Sequence, residues 1–166
     1  MPAAGDGSGL GWLGFALATV VTWGLYGVLL HQGQVSMADP VHGRYRAFLF
    51  VGVAYFLAAV LAPLAMLVSA GAPMQFAGRG VAWSLAAGLA GAAGAFTVLL
   101  AFGARGAPSV VMSIVFAGAP IVNAVTTMWL KRGSGLVVRW PFVVGIFLAA
   151  LGGFLVTMFR PDAAPR

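Results

Sequence analysis

Five stretches of about 20 residues, none holding a charged side chain, constrain this chain more than any other feature. They run from Leu10 to Leu30, Ala47 to Ala70, Val81 to Ala104, Val110 to Leu130 and Trp140 to Phe159. About 20 consecutive apolar residues cross a ~30 Å hydrocarbon core as a helix. Backbone groups in hydrocarbon must be satisfied within their own segment, so runs of this length without strict alternation are helices, not barrel strands. The expected fold is all-α, an integral membrane bundle of five transmembrane helices forming one domain over residues 1–166. The connections "HQGQVSMADPVHGRYR", "GAPMQFAGRG", "RGAPS" and "KRGSGLVVR" are rich in residues that stop helices, and none is long enough for a second domain. No positive region precedes the first stretch, which is too long for a signal-peptide core, so it is expected to be a retained span.

Composition agrees with that reading. Hydrophobic residues make up 61% of the chain and charged ones 7%, with a mean hydropathy of +1.01, outside the range of soluble domains. The three acids, Asp6, Asp39 and Asp162, all fall outside the apolar stretches. The Lys and Arg residues stand singly or in pairs between those stretches, as headgroup anchors do, and no nucleic-acid partner is expected. Cysteine is absent, which removes disulfides and thiolate metal sites. Two isolated histidines and no buried acid argue against an enzyme, and neither cofactor nor metal is expected.

Close packing of helices in lipid relies on small residues. Gly88, Gly91 and Gly94 recur every three residues in the third stretch, and Gly145, Ala149 and Gly153 every four in the fifth. They mark a helix crossing or a dimer seam, or reflect only how common glycine is in membrane helices. The fifth stretch has uncharged hydrogen-bonding side chains only near its ends, Trp140 and Thr157, and is expected to be scaffold or dimer surface.

The fourth stretch is the most informative. Ser109, Ser113, Phe116, Pro120, Asn123 and Thr127 are spaced by three or four, which places all six on one helix face. A lipid-facing helix has no reason to gather its polar groups in a stripe. Pro120 removes the hydrogen bond to the Phe116 carbonyl, and a freed carbonyl beside Asn123 makes a compact polar site. Two readings stay open: a cavity lining, with Ser113, Phe116, Pro120, Asn123 and Thr127 meeting a small-molecule substrate, or a polar clamp between helices.

Helix one carries a second stripe, Trp12, Phe15, Thr19, Trp23 and Tyr26. Trp12 suits an interfacial belt. Trp23 lies about three residues past the middle of its span, ~4.5 Å of rise, too deep for a belt. Trp23 and Tyr26 therefore face an interior or cavity, or pack as ordinary core. His31 and Gln32 mark the exit to the headgroups. Arg44 and Arg46, just before helix two, are headgroup anchors or, with His31, the mouth of a cavity.

With these residues assembled, the chain resembles one EamA-type half of the drug/metabolite transporter superfamily over nearly all its length. "TWGLYGVLLH" is similar to that family's first helix, where a Trp-Gly pair is followed by a basic residue, with His31 standing where lysine is usual. "GRYRAFLFVGVAYFL" resembles the Arg-led second helix. "AAGLAGAAGAFTVLLAFGARGAPSVVMSIVFAGAPIVNAVTTMWLKR" resembles the glycine-rich third helix, short turn and Pro-bearing fourth helix. The fourth helix of the family commonly ends in Gly-Glu, where this chain has Lys131-Arg132. The resemblance implies a small-metabolite transporter working by alternating access, with Trp23, Tyr26, Pro120 and Asn123 at a midplane cavity. Family members usually carry two such halves as inverted repeats, so a single half implies a homodimer. The related small multidrug resistance proteins exchange protons for cationic drugs on a membrane glutamate; its absence here favours a neutral or anionic substrate. The alternative is a non-transporting membrane subunit with a structural polar seam.

Location in the cell (inner) membrane, in contact with membrane lipid, is expected. Five spans leave Arg79, Lys131, Arg132 and Arg139 on one side, and Arg44, Arg46, Arg105, Arg160 and Arg166 on the other. The positive-inside rule is thus nearly balanced. Helix one leans toward an outside N-terminus, and the balance suits insertion in both directions and an antiparallel homodimer.

Overall fold

The computed structural model describes residues 11–133 and 138–159. Leu10, Asp6, Asp162, Arg160 and Arg166 lie outside the described residues. Five helices are long and apolar enough to cross a membrane: α1 Gly11–Ser36, α2 Gly43–Ser69, α3 Gly78–Gly103, α4 Pro108–Leu130 and α5 Trp140–Met158. No strand occurs among the described residues. The chain divides into two compact units, Met1–Leu100 and Ala101–Arg166.

In the first unit α1 and α2 form an antiparallel hairpin whose bends differ from the sequence expectation. The helix of α1 continues six residues past Leu30 to Ser36, and α2 starts at Gly43, four residues before Ala47. His31 and Gln32 are therefore inside α1, and Arg44 and Arg46 are in the first turn of α2. An apolar run ends at the first polar side chain, but Gln and Ser are compatible with helix, so the backbone continues until its hydrogen bonding is interrupted. That interruption comes at Ala38, in the left-handed region at φ 51°. Asp39 then starts the next helix: its Oδ1 accepts from the Val41 and His42 amides at 2.9 and 2.8 Å, and its backbone carbonyl accepts from Gly43 at 2.9 Å. These bonds satisfy amides that a helix start leaves without partners.

Helix α2 is not uniform. Residues Leu57–Leu61 form a π-helical turn, and the Ala62 amide reaches back five residues to the Leu57 carbonyl. Pro63 explains it, because proline has no N–H and its ring crowds the carbonyl four residues earlier; a π turn re-registers the ladder around it. The helix ends at Gly71, φ +60°, whose amide and that of Ala72 close back on Val68 and Leu67.

The contacts of helix α3 with this hairpin include a hydrogen bond and a ring pair. The Gln34 amide Nε2 donates to the Leu99 carbonyl at 3.2 Å, and the Phe48 and Phe96 rings sit 5.6 Å apart in a tilted pair. Around them Leu30, Ala47, Ala95, Val98 and Leu99 are buried. By contrast, a side chain at Gly88, Gly91 or Gly94 would meet nothing within 4 Å.

In the second unit α4 and α5 pack antiparallel. They approach most closely where Gly153 faces Ala117: a Cβ on Gly153 would overlap the Ala117 side chain. The small residues of α5 thus do make a helix crossing, within the chain, at Gly153; Gly145 faces open space. At the start of this unit α3 ends on a tight reversal. Arg105 takes φ 67°, its amide bonds to the Phe102 carbonyl, and the Gly106 amide bonds to the Ala101 carbonyl. Pro108 then opens α4 in its first turn, where a missing N–H costs nothing.

Candidate functional site

The polar stripe of α4 divides according to how each hydroxyl is satisfied. The Ser113 hydroxyl donates to the Ser109 carbonyl at 2.6 Å, one turn back on its own helix, as serine and threonine do in apolar surroundings. Among the described residues Asn123 and Thr127 have no side-chain hydrogen-bond partner. Both line an open cavity of about 510 Å³ between α4 and α5. Pro120, at mid-length of α4, also lines it.

The rest of the lining defines its chemistry. Ala124 and Met128 from α4 and Phe142 and Ile146 from α5 make the walls apolar, while Val138 and Arg139 lie at the end where α5 begins. Arg139 is the N-cap of α5, with extended backbone at φ −80° and ψ 137°. Among the described residues it is the one charged side chain on the cavity, and none of the acids lines it. Arg139 was expected to be only a headgroup anchor and α5 only scaffold or dimer surface. Their place on this cavity had no local signal in the sequence, because it follows from the antiparallel register of α4 and α5.

Of the six stripe residues, Pro120, Asn123 and Thr127 are therefore brought together. Ser113 lies instead near the Gly153 crossing, its carbonyl close to that glycine, and Phe116 is 42% exposed. At the crossing itself a second, largely apolar cavity of about 320 Å³ is lined by Ala117 and Gly153 with Ile114, Ile121 and Phe154.

The remaining expected site residues belong to the first unit. The Trp23 and Tyr26 rings stack in a tilted pair 5.6 Å apart. Tyr26, with Thr22, Gly33 and Phe50, lines a cavity of about 440 Å³ between α1 and α2. The Tyr26 hydroxyl is buried without a well-formed hydrogen bond, and Tyr55 of α2 lies close enough to influence it electrostatically. His31 is half-buried within α1. The two arginines have different surroundings: Arg46 Nη2 lies 3.1 Å from Asp39 Oδ2, whereas the Arg44 guanidinium stands 5.1 Å from the Tyr45 ring centre and its Nε is buried without a partner. His42 Nδ1 approaches the same Asp39 oxygen at 3.8 Å. The two backbone amides, then Arg46 and His42, hold the Asp39 carboxyl below the usual carboxylate range.

Among the described residues no group of three or more His, Asp or Glu side chains is placed to hold a metal ion. The chain is thus an all-helical protein with five candidate membrane-spanning helices and a cavity that joins apolar walls to one arginine. No protein family, curated protein or solved structure matches it.

Proposed function

We propose that this chain is a multi-pass membrane protein that transports a small neutral or anionic metabolite by alternating access, as a homodimer of five-helix units whose near-balanced loop charges suit an antiparallel arrangement. Large apolar side chains such as Trp129 and Phe147, 65% and 67% exposed, support a lipid environment. The observation that carries the reading is the cavity at Asn123. An amide with no hydrogen-bond partner among the described residues, inside a long apolar helix, is costly in hydrocarbon, and here it borders a space of metabolite size.

The test is uptake or efflux of metabolite mixtures by vesicles containing the purified protein. Wild-type protein moves a solute, and Asn123→Leu, which inserts and purifies normally, does not. Equal flux in both proteins removes Asn123 from the path. An Asn123→Leu protein that aggregates supports a polar clamp instead, and a wild type that moves nothing supports the structural subunit.

A further inference from the structure

The 510 Å³ cavity carries its polar groups in an order that restricts what fits it. Arg139 and Thr127 stand at one end, Asn123 lies one helical turn along α4 from Thr127, and Met128, Phe142 and Ile146 supply apolar wall. A four-residue step along a helix is about 6 Å. The sequence between α4 and α5 contains Lys131, Arg132 and Arg139 and no acid.

From this arrangement we infer that the cavity takes an amphiphilic monocarboxylate that bears no cationic group: a carboxylate on Arg139, an apolar body against Phe142, Ile146 and Met128, and a neutral hydrogen-bonding group at Asn123. The guanidinium fork matches the two oxygens of a carboxylate. One lining cation balances one negative charge, which disfavours a phosphate dianion. Among the described residues no acid lines the cavity to receive an ammonium, so a zwitterionic amino acid would leave its charge unpaired. An N-acylated amino acid meets all three requirements, since its amide offers a donor and an acceptor to Asn123. The inference rests on the reading of this cavity as the substrate site and adds the class of substrate.

Equilibrium binding to the purified full chain in detergent, with N-acetylphenylalanine, N-acetylphenylalaninamide and phenylalanine as probes, tests it. The acid binds about tenfold or more tightly than either other compound, the scale of one good charge-assisted contact. Arg139→Gln brings acid and amide to equal affinity, and Arg139→Lys keeps a preference for the acid. These variants also control for partition into the micelle, which the substitution does not change. Equal binding of acid and amide to wild type, no binding of the acid, or a preference that survives Arg139→Gln each overturns the inference. Vesicle flux of the same acid is read separately: selective binding without flux upholds the ligand class and overturns transport.

Discussion

Gly153 lies against Ala117 so closely that no side chain fits between α4 and α5 at that level. Eight residues away on α5, Gly145 faces open space. The two glycines are one seam in the sequence and two different environments in the structure. Placing leucine at Gly153 forces the helices apart, with an expected loss of about 1–3 kcal/mol, the usual penalty of overpacking. Alanine at Gly145 relieves the cost of glycine in a helix, a gain of roughly 0.5–1 kcal/mol. Thermal unfolding of the two variants in one detergent checks both; equal melting temperatures would show that this crossing does not hold the hairpin.

The reversal after α3 gives a second contrast. Arg105 occupies the left-handed region at φ 67°, a conformation that costs a side-chain-bearing residue about 1–2 kcal/mol. Arg105→Gly is expected to raise stability by about 1 kcal/mol. Gly106 behaves in the opposite way, because a Cβ there would come within 2.8 Å of the Ala101 carbonyl oxygen and 2.7 Å of Val111 Cγ2. Gly106→Ala is expected to lower the unfolding temperature while Arg105→Gly raises it, and a common direction of change would contradict the geometry of this turn.

Acid acts on the first unit through Asp39. Its folded carboxyl titrates below the ordinary range, so its contribution is complete above the unfolded value of about 3.9 and is lost as pH falls through the folded one. The α1–α2 bend is therefore expected to be insensitive between pH 7 and 5 and to loosen only at more acidic values. Amide exchange at Val41 and His42, corrected for intrinsic rates, reports this directly. Asp39→Ala should lose protection of both amides at neutral pH and with it the acid dependence; protection that persists in that variant would assign the bend to Gly43 and the backbone alone.

Five uncharged stretches were enough to place all five helices, because no other regular structure of that length satisfies its own backbone in hydrocarbon. Pro120, Asn123 and Thr127 were legible as one group for a similar reason: they share one helix, and 3.6-residue periodicity fixes their common face. The far end of α1 was not legible from apolar content, since a helix outlasts its hydrophobic run until the backbone reverses, here at Ala38. Nor was the π turn ahead of Pro63, which depends on how one carbonyl ladder is re-registered. Arg139 shows the wider limit. In sequence it is twelve residues from Thr127, beyond a loop, with nothing to distinguish it from the other loop arginines. Only the antiparallel packing of α4 on α5, set by the missing side chain of Gly153, brings it to the same cavity. Local spacing determines which residues share a helix face, and tertiary packing decides which faces meet and what charge stands between them.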